Sequence, residues 1–453
     1  MKTNPFIFPL LLLISSVFCN TQAQSILQNY IEEGVRSNLQ LRQEQLNYEK
    51  SVEGLNVARS LFLPQVAVNA NYTLASGGRK IEFPVGDLLN PVYSTLNKLT
   101  DSNQFPTVAN QSIQFLPNNF HDTKVRIIQP LFNPDIYFNF KAQKELISIQ
   151  QAQKNAYENE LRYSIAAAYY QYLQTEEALK VLAETRGFLI ELVKFNQKLV
   201  ANQKATKDVV LGAEYELNKI DQQLAEAARS HEVSKSYFNF LLNRDLAADV
   251  VVDSALVSGS QQTESLEQLR TLALSQRQEI RQLQGGLAAS EHIVELNRTS
   301  SLLPKINVVG DIGYQGFEYK FDNSQQYALV QFSLSWDIFK GGEKRARTQQ
   351  ARIDYQVAEN KMEQLRRQIE LQVIQSHYDR QASEQAWITA QTGVKSAEKN
   401  FQIIRSKYNE GQAILLEYLD AQNKYTTAKL TQSLRLFDLL RAEAALQKTI
   451  ASI

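Results

Sequence analysis

Four histidines, His121, His231, His292 and His377, are the nitrogen ligands available to a metal, and they are scattered with no metal-ligand spacing. The single cysteine, Cys19, lies in an apolar N-terminal run, so a mature chain without it has no disulfide and no thiolate ligand. Gly310, Gly313 and Gly316 superficially resemble a nucleotide loop, but their spacing is wrong and no capped helix follows them. They better suit a strand that bends or lies close to a neighbour. There is no nucleophile elbow and no phosphate loop, and the paired acids lack flanking pocket sequence. The residues therefore offer no catalytic group, no metal site and no cofactor site. What they do offer is alternation. In "ALVQFSLSWDIFKGG", Ala328, Val330, Phe332, Leu334, Trp336 and Ile338 point one way, opposite Leu329, Gln331, Ser333, Ser335 and Asp337.

Three more stretches repeat that pattern. Val66, Val68, Ala70, Tyr72 and Leu74 alternate with Gln65, Ala67, Asn69, Asn71 and Thr73. Near Thr123–Phe132, Val125 and Ile127 alternate with Lys124 and Arg126 until Ile128 breaks the order. Ile306, Val308, Ile312 and Tyr314 share a face opposite Asn307, Asp311 and Gln315. The paired strands are separated by a long segment, 75–119, rich in Gly, Pro, Asn and Ser, and by a short one, 317–326. A loop as long as the first is usually functional or disordered.

The 453 residues carry balanced charge, 48 basic and 48 acidic, so no field announces nucleic acid or another charged partner. Leu, Ala, Gln, Glu, Lys and Arg dominate, and Gly and Pro are sparse, which favours helix. Lys2, the apolar run Phe6–Phe18 and Thr21-Gln22-Ala23 read as a signal peptide over 1–23, with Gln24 opening the mature chain. Lipidation at Cys19 is the rival reading, and the bulk of Phe18 argues against it. After residue 23 no apolar run is long enough to be a membrane-spanning helix.

The chain contains itself twice. Leu63-Pro64-Gln65-Val66 recurs as Leu303-Pro304-Lys305-Ile306, Leu131-Phe132 as Ile338-Phe339, and the Asp208–Glu214 stretch as Leu416–Gln422, in the same order. This divides the mature chain into a first repeat, 24–245, a connecting segment, 246–262, and a second repeat, 263–453. Each repeat is expected to hold a helix (25–60; 263–300), two strands and a long helical hairpin. Asn133-Pro134-Asp135 marks the start of the first long helix: Asn as cap, Pro at the first position, an acid in the first turn. A stripe from Leu146 through Leu161, Ile165, Leu182, Leu189 and Leu192 to Leu199 carries it to about Gln203. At 1.5 Å per residue, about 65 residues make a rod of roughly 100 Å. The returning helices are expected over 207–243 and 413–451, packed as coiled coil.

Strands of nine to eleven residues span a bilayer when tilted, and a sheet in lipid must close on itself. About eight strands are needed for a barrel, so four in one chain require sister subunits. Three copies of four would give twelve, an even number with an open lumen. On this reading Val66, Val68, Tyr72, Leu74, Ile306, Val308, Ile312, Tyr314, Val330, Phe332, Leu334 and Trp336 face lipid, and Asn69, Asn71, Asp311, Gln331, Ser333 and Ser335 face the lumen. The competing reading is a periplasmic coiled-coil adaptor or scaffold with its strands in a soluble domain.

"ARSLFLPQ" at 58–65, "SLLPK" at 301–305, "FSLSWDIFKGG" at 332–342 and "YNEGQAILLEYLDAQ" at 408–422 together resemble the TolC-type outer-membrane efflux proteins. The resemblance covers essentially the whole mature chain. It implies a mainly α fold with transmembrane β: a homotrimeric, twelve-stranded barrel, four strands per chain, continuous with an α-helical coiled-coil tunnel. It implies a non-enzymatic exit duct in the outer membrane of a Gram-negative bacterium, extending into the periplasm and docking a periplasmic adaptor and an inner-membrane pump, with no cofactor. It also implies a gate at the hairpin tips, where the family's acidic ring falls on Glu417 and Asp420, three residues apart and so on one helix face. The alternative for these acids is simple service to the helix dipole after Gly411. The family's inter-hairpin contact falls on Asp208 and Tyr408. Where the family's best-studied pattern has an arginine two residues after the glycine, this chain has Ala413.

Overall fold

The computed structural model describes residues 26–252 and 264–451. The expected signal peptide, Cys19 and the 253–262 part of the connecting segment lie outside the described residues. In chain order the elements are α1 (Ile26–Ser37), α2 (Leu39–Ser60), β1 (Gln65–Thr73), β2 (Lys80–Phe83), α3 (Val85–Leu99), β3 (Gln111–Gln114), β4 (Phe120–Phe132), α4 (Pro134–Ala201) and α5 (Asp208–Leu241). They continue with α6 (Leu266–Gln276), α7 (Gln278–Leu302), β5 (Lys305–Phe317), β6 (Gln326–Ser335), α8 (Glu343–Asn409) and α9 (Leu415–Thr449). The chain forms two compact units, one made of Glu49–Ile149 with Leu283–Lys361, the other of the remaining described residues. Each unit draws segments from both halves of the sequence, so compactness cuts across the expected repeats.

The first unit is built on a four-stranded antiparallel sheet in the order β1-β4-β5-β6. Residues directly opposite in such a ladder share a face, so the register sorts the side chains. Val66 pairs with Ile127 and Val68 with Val125; Val125 pairs with Ile312; Ile306, Val308 and Gly310 pair with Leu334, Phe332 and Val330. These make one apolar face. Asn69 pairs with Lys124 and Asn71 with Asp122, Arg126 with Asp311, and Asp311, Val309, Asn307 and Lys305 with Leu329, Gln331, Ser333 and Ser335. These make a mostly polar face. Among the described residues nothing covers Val68 or Phe332 on the apolar face, which are 73% and 74% exposed. Leu74 and Trp336, expected on the lipid side, fall just past the ladder. The ladder stops at Thr73–Phe120 and at Lys305–Ser335 because the partner strands end there, the latter just after Pro304, which has no N–H to donate.

Gly313 shows why a glycine recurs in β5. A Cβ there would lie 2.2 Å from the Thr123 carbonyl oxygen and 2.6 Å from the Lys124 Cα, so only a hydrogen lets β4 and β5 approach. The ladder slips once, between Pro130 and Phe132, where Leu131 is the extra residue of a bulge.

The 75–119 segment, read from sequence as a long loop of the kind that is functional or disordered, carries regular structure. It holds the two-stranded ladder β2–β3 and the helix α3. Three asparagines act as substitute backbone. Asn90 exchanges hydrogen bonds of 2.9 and 2.8 Å with the Val108 main chain, Asn97 does so with Phe105 at 2.8 and 3.0 Å, and Asn110 closes on Asp87. The same residues read as loop formers in sequence, and Pro91 inside α3 hid the helix.

In the second unit the two expected initial helices each prove to be broken, at Asn38 and at Arg277. Asn38 caps α2 by accepting from the Leu41 amide at 3.0 Å while donating to the Leu241 carbonyl at 3.0 Å. One core gathers Leu161, Ile165 and Tyr169 of α4 with Phe238 of α5, Tyr30 of α1 and Phe437 of α9. Another gathers Leu182, Leu189 and Leu192 of α4 with Ala213 and Ile220 of α5, Phe401 and Tyr408 of α8, and Tyr418 and Ala421 of α9. The start of the connecting segment is pinned to the first core: the Val251 amide donates to the Tyr30 hydroxyl at 2.8 Å, and its carbonyl accepts from Tyr169 at 3.0 Å.

Candidate functional site

In the helical unit, α4 and α5 make one hairpin, and α8 and α9 the other. Both reverse through a residue in the left-handed region: Gln203 at φ 60° and Gly411 at φ 74°. At Gly411 the turn closes with the Gln412 amide on the Lys407 carbonyl at 2.7 Å. The expected partner of Tyr408 was Asp208. Within the chain the Tyr408 hydroxyl instead donates to Asn196 Oδ1 at 2.7 Å, and both residues are buried. Asn196 Nδ2 in turn donates to the Val209 carbonyl, in the first turn of α5, at 2.9 Å. One amide thus ties the first hairpin to itself and to the second. Burial pushes the Tyr408 phenol above its ordinary pKa, and burial does the same for Tyr418. The Phe195 and Tyr418 rings pack on Tyr408, and Phe401 packs edge-on against Tyr418. Asp208, exposed at the start of α5, accepts from the Thr206 hydroxyl.

Asn196 was missed in the sequence, although a signal existed: it is a lone amide on the leucine stripe of α4, between Leu192 and Leu199. A polar residue on such a stripe sets register and partner. Ala413 is half-buried against the same cluster rather than carrying a charge. A charged link is found one turn away, where Arg405 of α8 reaches Glu191 of α4 at 3.1 Å and lies over the Phe188 ring at 5.4 Å. Farther along, Thr185 and Thr426 bond across α4 and α9 at 2.9 Å, and Lys429 reaches Glu184 at 2.5 Å.

Glu417 and Asp420 are both exposed in the first turns of α9, on one face. Neither is a bare charge. Glu417 Oε2 accepts from the Ile414 amide at 3.2 Å, capping the helix, and Asp420 pairs with Lys424 at 2.7 Å. In the sheet unit, the polar face carries a network of its own. Arg126 grips Asp311 with two bonds, 2.8 and 2.7 Å, while Asp122 accepts from Lys124 at 2.5 Å and from Tyr327 at 3.0 Å. Among the described residues no group of three or more His, Cys, Asp or Glu is placed to hold a metal ion.

This architecture has solved counterparts. The outer-membrane channel OprN matches with a TM-score of 0.76 at 18% identity, over 94% of this chain and 89% of that one. The CmeC outer membrane channel of Campylobacter jejuni matches with a TM-score of 0.76 at 14% identity, over 94% and 85%. The fold is therefore that of the outer-membrane channels. Residues 269–452 match the sequence profile of the outer membrane efflux proteins. The chain is 23% identical to the outer membrane protein TolC of Salmonella enteritidis over 430 residues, 90% of this chain and 78% of that protein, and 23% identical to TolC of Escherichia coli (strain K12) over 426 residues. The chain is thus similar to the outer membrane efflux proteins in its second half by sequence and to the outer-membrane channels in fold.

Proposed function

We propose that this chain is the outer-membrane channel-tunnel of a tripartite efflux or type I secretion system, a passive exit duct gated at its periplasmic end. The observation that carries this is the register of the sheet: apolar side chains gather on one uncovered face, polar ones on the other, and β1 and β6 each keep one edge without a partner among the described residues. Open edges are untenable in hydrocarbon. Three copies joined β1 to β6 give a closed cylinder with the apolar face to lipid and the polar face to water. The recurrence of helix pair, strands, long helix and returning helix in both halves supports descent from a duplicated unit.

The hairpin tips form the gate, facing a periplasmic adaptor and an inner-membrane pump. Threefold symmetry gathers Glu417 and Asp420 of each chain in a ring that favours cations, tempered by Lys424. Tyr408 and Asn196 latch it. The test is membrane fractionation followed by single-channel recording in planar bilayers. Heat-modifiable trimers in the outer membrane, with long-lived cation-selective conductance, are the expected result. Release of a soluble protein by osmotic shock supports the adaptor reading and overturns this one.

A further inference from the structure

Where the strands of the sheet unit give way to helix, a cleft of about 340 Å³ opens, walled by Phe62, Phe132, Ile136, Tyr137, Thr299 and Leu303. Its walls continue the apolar face of the sheet, since Phe132 stands opposite Ile306, and Ile306 opposite Leu334. The volume lies in the range of small-ligand pockets and suits a stretch of one hydrocarbon chain. Two cations reach rings that belong to this lining or pack on it. Lys141 Nζ sits 4.7 Å from the centre of the Tyr137 ring. The Arg59 guanidinium lies 5.9 Å from the Phe140 ring, which packs edge-on against Phe62 at 5.9 Å. Neither cation has an ion-pair partner among the described residues. Asp135, next to the lining residues Pro134 and Ile136, is held by Lys305 and Ser300.

We propose that this cleft binds one anionic phospholipid, its acyl chain between Phe62, Phe132 and Leu303 and its phosphate between Arg59 and Lys141. The inference rests on the sheet spanning a membrane, which places the cleft at the periplasmic interface. There aromatic rings settle at headgroup level, and long basic side chains lie along apolar surface with their charges in the polar layer. The unopposed positive charge selects an anionic headgroup over a zwitterionic one.

The test is native mass spectrometry of the detergent-purified, delipidated protein mixed with phosphatidylglycerol or with phosphatidylethanolamine. The wild type is expected to retain phosphatidylglycerol in preference. Arg59→Gln and Lys141→Gln, both changes at the cleft rim, are each expected to weaken that retention roughly fivefold. Thr299→Trp fills the cleft without altering charge and is expected to remove it. Equal retention of the two lipids, retention of neither, or charge variants indistinguishable from wild type overturns the proposal. The same spectra report the trimer, and conductance is recorded separately. A failure of the channel reading is therefore seen as loss of trimer or conductance, whatever the lipid result.

Discussion

A buried amide that serves two partners is costlier to lose than either bond alone. Asn196→Ala leaves the buried Tyr408 hydroxyl without this partner and removes the tie to the Val209 carbonyl of α5, whereas Tyr408→Phe unpairs only Asn196 Oδ1. Each unsatisfied buried group costs about 1–3 kcal/mol. The expected order of destabilisation is Asn196→Ala above Tyr408→Phe, read from thermal dissociation, with the same order in the rise of single-channel conductance. The acids on α9 make a signed prediction. Because Lys424 neutralises Asp420, Lys424→Ala is expected to increase cation selectivity, and the pair Glu417→Ala with Asp420→Ala to reduce it. Unchanged reversal potentials in a salt gradient count against the ring. Alkali tests the buried phenols. Burial raises Tyr408 and Tyr418, and burial with Glu443 nearby pushes Tyr170 up to about 12. An acid raised in the folded state holds a proton that the unfolded chain has released. Stability is therefore full below the ordinary tyrosine value near 10 and falls as pH rises through the folded values. Tyrosinate absorbance is expected to show a late fraction that appears together with loss of helix.

At the scale of elements, β4 and β5 are held together by their closest backbone approach and by the bidentate Arg126–Asp311 pair. Gly313→Ala sets a methyl against the Thr123 carbonyl and is expected to destabilise by at least about 1–3 kcal/mol, seen as loss of heat-modifiable multimer from the outer membrane fraction. The β2–α3–β3 segment is different. Its asparagine bonds are internal, so replacing 79–115 by a short turn is expected to leave assembly intact; failure to assemble would give the segment a role in closure. Legibility followed the same division. The alternating faces of β1, β5 and β6 and the Asn133-Pro134-Asp135 helix start were readable, the last with Asn133 Oδ1 on the Asp135 amide at 3.0 Å. The inserted helix was not, because Pro91 and a run of asparagines carry opposite meanings in a loop and in a side-chain-closed ladder.

For the whole molecule, the edges of β1 and β6 that have no partner among the described residues put the proposed assembly to the test. Cysteine at Asn69 combined with cysteines placed in turn along β6 is expected to give disulfide-linked multimers up to the trimer at one register of the scan. Cys19 is the single cysteine of the sequence, so the scan is run in a Cys19→Ser background to leave no native thiol. Monomer at every position would rule out a β1–β6 seam.

Periodicity alone determined that four segments have two unlike faces and that long leucine-striped helices follow them, because side-chain direction is a local consequence of backbone repeat. The tertiary structure decided which residues meet. That Tyr408 chooses Asn196 over Asp208, that Asp420 spends its charge on Lys424, and that Phe62 and Leu303 wall one cleft all depend on distances between segments far apart in the chain, which no local pattern encodes.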